Sequence, residues 1–224
     1  MKVDRINNNY IGFANPELES YIENNSTPEL PILTKIYRET NIKMINPRMV
    51  SGHVQGMFLS MLSKMLNPES ILEIGTYTGY SAICLANGLK SGGELHTIEV
   101  NDEIAEVAKG YFEESGLNNK IIQHIGDACN LIPGLNKEFD LIYIDGEKRE
   151  YCNYFNVCLP KLKVGGYIIA DNVLWNGKVV NDNYKNESAT KEIIKFNKLV
   201  TENTSTENVL LPLRDGLMLV RKLR

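Results

Sequence analysis

The 224-residue sequence is poor in the residues that build metal clusters and disulfide frameworks, with four cysteines and three histidines. Cys84, Cys129, Cys152 and Cys158 are scattered and show no Cys-x-x-Cys spacing. That excludes a zinc ribbon and leaves buried free thiols in a reducing compartment as the expectation. His53, His96 and His124 do not cluster in the sequence, and the two that fall in predicted strands read as structural histidines. No apolar run approaches the ~18 residues needed to cross a bilayer. The first ten residues are polar and Asn-rich, without the apolar stretch of a signal peptide, so a cytoplasmic protein is expected. Positive charge is not in excess either: 24 Lys and Arg against 28 Asp and Glu leave a formal net charge of −4. The chain therefore lacks a general attraction to nucleic acid or to an anionic membrane.

What is present is ordinary globular composition, 43% hydrophobic and 23% charged, at a length that fits one domain. Prolines at a plausible first turn predict helices over Pro16–Asn24 and Pro28–Thr40, and a third helix over Gly52–Leu66 ends before Asn67-Pro68. Strands and helices then alternate. Strands are predicted at Ile71–Ile74, Leu95–Val100, Lys120–Ile125, Phe139–Ile144 and Tyr167–Ala170. Helices are predicted at Tyr80–Leu89, Ile104–Ser115, Tyr151–Leu162 (stopped by Gly165-Gly166) and Ser188–Val200. Asp215-Gly216 between two apolar runs, Asn208–Leu213 and Leu217–Leu223, signals a closing hairpin. The pattern predicts an α/β fold with a doubly wound, mostly parallel sheet and a C-terminal antiparallel hairpin.

Four constellations carry chemistry. Glu73-Ile74-Gly75-Thr76-Tyr77-Thr78-Gly79-Tyr80-Ser81 forms a strand-to-helix turn with Gly-x-x-x-Gly spacing. A nicotinamide dinucleotide favours Gly-x-Gly-x-x-Gly, and Glu73 would repel pyrophosphate while attracting the ammonium of an amino-acid ligand. The turn thus leans to S-adenosylmethionine. Glu99 ends the second strand about 20 residues later, where an acid accepts hydrogen bonds from ribose hydroxyls. Asp127, in Gly126-Asp127-Ala128, is either a turn or cap residue or a border of the adenine. Most informative are two successive strands that each end in Asp, Ile144-Asp145 and Ala170-Asp171, the latter followed by Asn172. Neighbouring strands lie ~4.8 Å apart, so this all-oxygen set can converge on one hard cation, Mg²⁺ first and Mn²⁺ or Ca²⁺ next. Helix capping is the alternative use of such aspartates. Lys148 follows Asp145 by three residues, and near a cation its pKa can fall enough for a general base. Lys191, Lys195 and Lys198 read as a solvated helix face.

Taken together, these segments resemble the metal-dependent class I O-methyltransferases of the caffeoyl-coenzyme A and catechol type, especially their compact bacterial members. The resemblance rests on Leu72–Ser81, Tyr143–Lys148, Asp171–Gly177 and the closing hairpin Pro212–Val220, and it spans the chain from about Met49 onward. It implies a seven-stranded sheet, a homodimer and one methyltransferase domain over residues 1–224, with 1–48 as a helical extension. It implies cofactor contacts from Met49, Ser51, Glu73, Gly75, Thr76, Ser81, Glu99, Asp127, Ala128 and Asp145. It further implies metal ligation by Asp145, Asp171 and Asn172, with Lys148 as catalytic base. Two departures stand out: Asp145-Gly146-Glu147-Lys148 replaces the usual Asp-Ala-Asp-Lys, and Gln55-Gly56-Met57 replaces Glu-Gly-Gln. The expected activity is methylation of a hydroxyl on a small catechol-like vicinal diol, without a membrane partner. The alternative acceptor is 5-hydroxyuridine in tRNA, which related bacterial members modify.

Overall fold

The computed structural model describes residues 15–224. The chain opens with helices α1 (Pro16–Asn24), α2 (Pro31–Lys43) and α3 (His53–Leu66), then alternates β1 (Ser70–Ile74), α4 (Tyr80–Ala86), β2 (Glu94–Glu99), α5 (Asp102–Glu114) and β3 (Ile121–Ile125). It continues through α6 (Ala128–Leu131), β4 (Phe139–Ile144), α7 (Tyr151–Cys158), β5 (Leu162–Asp171) and α8 (Ser188–Thr201), and ends with β6 (Thr206–Leu211) and β7 (Leu217–Lys222). The seven strands form one sheet in the order β3-β2-β1-β4-β5-β7-β6. β7 pairs antiparallel with both β5 and β6, and the other pairings are parallel.

Side chains alternate across the sheet with period two, which divides the core into two layers. Leu72, Ile74, Ile142 and Ile144 face the layer of Tyr151, Phe155 and Phe196 from α7 and α8. Ile71, Leu141, Tyr143 and Ile169 face the layer of Leu33, Leu59, Ile83 and Phe112 from α2 to α5. β1 is buried along its whole length, as a central parallel strand between two helical layers should be. α2 belongs to this core through Leu33 and Ile36, whereas α1 buries no residue.

Two predicted boundaries are corrected. α2 begins at Pro31 and not Pro28, because Leu30 before Pro31 is extended and serves as the cap. The Gly165-Gly166 pair does not stop a helix but lies inside β5. α7 already ends at Cys158, and a 3₁₀ turn around Pro160 follows. At Gly165 φ is +83°, and the β4–β5 register shifts between Phe139 and Leu141, so the pair accommodates an irregular strand entry. The four cysteines are free, three of them buried.

β1 and β4 end side by side, and the chain leaving β1 turns directly over the end of β4. At Gly75, φ is +97°, and a Cβ would stand 2.3 Å from the Asp145 carbonyl oxygen. Backbone conformation and space both demand glycine there. Gly110 in α5 has nothing within 4 Å and no positive φ. Gly75→Ala is therefore expected to destabilise the protein by about 2–4 kcal/mol. Gly110→Ala is expected to stabilise it by about 0.5–1 kcal/mol. Urea unfolding of the two variants checks this; equal midpoints would refute the crowded turn.

Candidate active site

The carboxyl ends of β1, β2, β4 and β5 open into a cavity of about 1260 Å³, also bordered by α1, α3 and the β6–β7 turn. Open parallel sheets bind ligands at this edge. At its floor, Asp145 follows the last residue of β4 and Asp171 is the last residue of β5, held in register by the Ile144–Ala170 pairing. Asp171 is 3% exposed, and its carboxyl group is enclosed by donors. Tyr143 Oη donates to Oδ2 at 2.9 Å, Gln55 Nε2 donates to the same oxygen, and the Asn172 N–H donates to Oδ1 at 2.7 Å. Tyr151 Oη donates to the Asp171 carbonyl at 2.9 Å. Lys148 Nζ lies 2.7 Å from both Asp145 Oδ1 and Tyr151 Oη.

Burial raises the Asp145 carboxyl above the ordinary range, and the Asp171 charge adds to the rise while Lys148 opposes it. Burial pulls Lys148 down, but the Asp145 and Tyr151 oxygens outweigh it and hold the ammonium above its usual pKa. This direction is opposite to the lowering expected of a lysine beside a cation. The cause is simple: here Asp145 is its counter-ion. Asp171 does not cap a helix through its side chain, which turns to the next N–H instead. Asn172 has φ +59° and makes no side-chain hydrogen bond among the described residues.

Of the residues expected to contact the cofactor, Met49, Ser51, Gly75, Thr76, Ser81, Glu99, Asp127, Ala128 and Asp145 all line the cavity. Glu73 does not. It is fully buried behind the glycine turn, accepting at 2.6 Å from Ser81 Oγ on one oxygen and from Thr97 Oγ1 on the other. Thr97 Oγ1 lies 2.6 Å from Thr76 Oγ1, so a chain of hydroxyls runs beneath the turn. Burial raises the Glu73 carboxyl to about 8, with the two hydroxyl bonds acting against the rise. Glu99 accepts backbone N–H groups from Tyr77, Val100 and Asn101 at 2.9–3.0 Å, which fixes its carboxylate at the cavity wall. Asp127 both lines the cavity and caps α6, accepting from Asn130 N at 3.0 Å.

Several residues of the site escaped the sequence reading. Tyr143 was visible as a polar tip in the apolar second half of β4, two residues before Asp145 and so on its face. Gln55 stood out only as a departure from the family pattern and Asp215 only as a hairpin residue, while Tyr151 and Arg214 gave no signal of a place in the site. Arg214 Nη1 donates to the Val50 and Ser51 carbonyls and to Gln55 Oε1. Six non-glycine residues among those described have positive φ, and five of them, Tyr77, Asn172, Trp175, Asn176 and Arg214, line this cavity. Such strain tends to gather at functional sites. His96 and His124, read as separate structural histidines, stack at 5.1 Å with ring nitrogens 2.9 Å apart, away from the cavity.

A sequence profile described as O-methyltransferase matches residues 23–223. Caffeoyl-CoA O-methyltransferase 2 of Eucalyptus globulus is 31% identical over 215 residues, covering 90% of this chain and 86% of the relative. Catechol O-methyltransferase of Niastella koreensis is 35% identical over 161 residues, covering 70% and 72%. Among solved structures, an O-methyltransferase from Bacillus cereus in complex with SAH superposes with a TM-score of 0.85 at 29% identity, covering 92% of this chain and 97% of that one. The chain belongs to the O-methyltransferase family and is an S-adenosylmethionine-dependent O-methyltransferase of the caffeoyl-CoA and catechol type.

Proposed function

We propose that the protein uses a divalent cation to methylate one hydroxyl of a small aromatic vicinal diol. The observation that carries this reading is the pairing of Asp145 and Asp171 at adjacent strand ends, with the unpartnered Asn172 amide beside them and Lys148 against Asp145. Asp145, Asp171 and Asn172 offer oxygen donors and no sulfur or imidazole, so a soft or imidazole-bound metal does not fit. Two carboxylates and an amide do fit a hard cation that keeps several waters. Charge supports the fit: Asp145, Asp171 and Asp215 face only Lys148 and Arg214 at this end of the cavity. Held by Asp145, Asp171 and Asn172, Mg²⁺ would supply a Lewis acid that acidifies the bound hydroxyl, and its charge would oppose the ammonium form of Lys148.

The chain's own residues do the rest. Lys148 has two fixed acceptors, Asp145 Oδ1 and Tyr151 Oη. A neutral amine gives its two hydrogens to these and turns its lone pair elsewhere, toward the substrate hydroxyl whose proton it takes. The glycine turn lets the cofactor approach the backbone, Glu99 holds the ribose, and Asp127 and Ala128 border the adenine. Met49, Ser51, Ser81 and Asp145 hold the methionine end, which aligns the methyl group with the acceptor oxygen.

The rim speaks for a small acceptor. Glu19 and Glu23 of α1, Glu29 and Glu147 line the cavity, and the exposed cations that line it with them are Arg48 and Arg214. A coenzyme A thioester or a tRNA would bring several phosphates to these carboxylates. Trp175 offers an aromatic wall of suitable size. A homodimer and a single domain over 1–224 belong to the same reading.

Chelation with EDTA is expected to lower turnover of a catechol by about a hundredfold or more, as is Asp171→Ala. Lys148→Met should lower kcat by about a hundredfold or more with unchanged S-adenosylhomocysteine affinity. Full activity in excess EDTA would remove the metal from the mechanism.

Glu73 yields a test whose sign is decisive. With its pKa raised to about 8, it is protonated at neutral pH and can donate to Ser81, which frees the Ser81 hydrogen for the cofactor carboxylate. Above pH 8 the ionised group claims that hydrogen. Affinity for S-adenosylhomocysteine should therefore fall between pH 7 and 9 relative to Glu73→Gln. A rise over the same range, measured by calorimetry, would instead favour a carboxylate pairing with the ligand's ammonium.

A comparison of acceptors completes the set. A simple dihydroxy aromatic should have a higher kcat/KM than its coenzyme A thioester or hydroxylated tRNA, and added salt should narrow the gap. Preference for either polyanion would reverse the assignment.

A further inference from the structure

We propose that Arg214 is a positioning residue that ties the cofactor half of the cavity to the acceptor half through the Val50–Ser51 backbone and Gln55. The Asp171 arm of this proposal rests on the reading above that Asp171 serves the acceptor end. Arg214 sits in the turn between β6 and β7, more than 150 residues from its partners in sequence. One guanidinium nitrogen meets three oxygens: the Val50 carbonyl at 3.2 Å, the Ser51 carbonyl, and Gln55 Oε1 at 3.2 Å. The first two belong to the segment that carries Met49 and Ser51 into the cofactor side of the cavity. The third belongs to the side chain whose other end touches Asp171.

Gln55 is buried, at 1% exposure, and an amide so placed must have the right end toward each neighbour. Its oxygen is taken by a cation that can only donate, so its Nε2 is turned to the Asp171 carboxylate and the Tyr143 hydroxyl. The reverse orientation would set oxygen against carboxylate at one end and N–H against guanidinium at the other. A glutamate at this position would put a second carboxylate against Asp171; glutamine with Arg214 behind it gives a donor instead. Arg214 also holds a left-handed backbone, φ +49°, at a position where glycine would fit without strain. Its place in the turn is thus explained by the side chain's reach and not by the turn's own geometry.

The test uses the full-length protein. Arg214→Met keeps a long side chain without donors, Arg214→Lys keeps a cation, and Arg214→Gly suits the backbone and guards against a variant that fails to fold. Calorimetry in EDTA reads S-adenosylhomocysteine affinity without metal or acceptor. Arg214→Met and Arg214→Gly should weaken it about tenfold, and Arg214→Lys should recover part of the loss. Steady-state methylation of a catechol then reads the other arm. Gln55→Leu should lower kcat with little change in S-adenosylhomocysteine affinity, and adding Arg214→Met to it should lower kcat no further. Wild-type affinity in both Arg214→Met and Arg214→Gly would overturn the proposal. So would additive losses in kcat, or losses that follow a lowered melting temperature and are not recovered by lysine. If the wild-type protein proves inactive on diols, the acceptor reading fails, while the affinity series still decides whether Arg214 positions the cofactor segment.

Discussion

A carboxyl group buried in a protein must be met by donors, and Asp171 is the buried carboxyl around which this site is arranged. Its donors come from separate parts of the chain: Gln55 from α3, Tyr143 from β4 and the N–H that follows Asp171 itself. Tyr151 from α7 holds its carbonyl. Each donor is useful only if its element is in place, so the packing of α3 on one face and α7 on the other is felt at a single group. Removing Gln55 or Tyr143 would take one of the two donors from Oδ2, a hydrogen bond to a charged group that typically contributes about 1.5–3 kcal/mol, and would also loosen the carboxylate. Rigidity of this end of the cavity and stability of the fold are thus linked through the same hydrogen bonds.

The cofactor end is organised on a different principle. There the backbone itself does much of the work. Gly75 brings the β1 turn against the end of β4, and three backbone N–H groups converge on Glu99. The side chains beneath are hydroxyls and one acid, Thr76, Thr97, Glu73 and Ser81, linked by bonds near 2.6 Å. A hydroxyl can donate or accept, so this chain has more than one proton arrangement, whereas the Asp171 donors are mostly fixed. A change of protonation at Glu73 can therefore be passed to Ser81 at the cavity wall.

How much was legible in the sequence follows from how local each signal is. The strand ends Asp145 and Asp171 were visible because an apolar strand that stops at an acid is written in consecutive residues, and parallel neighbours then converge by geometry alone. Glu99, Gly75 and the hairpin at Asp215-Gly216 were legible for the same reason. Gly165-Gly166 misled because a glycine pair ends helices and also permits an irregular strand, and only the β4–β5 register distinguishes the two. Glu73 was found, but its attraction to an ammonium assumed exposure; burial, which no local pattern reports, put Ser81 between it and the cavity. The pairing of Gln55 with Arg214 was out of reach because the two lie 159 residues apart in sequence.

The distribution of backbone strain is consistent with the same division. Asn adopts a left-handed conformation readily, so Asn172 and Asn176 need little explanation. Tyr77, Trp175 and Arg214 do need one, since each would be relieved by glycine. Each has a side chain that reaches something the backbone cannot: Tyr77 Oη meets the Asn46 carbonyl, Trp175 packs against the core while lining the cavity, and Arg214 spans to α3. The two helical layers fix the strand ends firmly enough for the connecting turns to be held in these conformations. Their direction is then set by where the side chains must reach. A sheet edge built in this way can keep the same strands while the residues around their ends change, and two such residues are Gln55 of α3, which Arg214 turns toward Asp171, and Glu147 at the mouth beside Lys148.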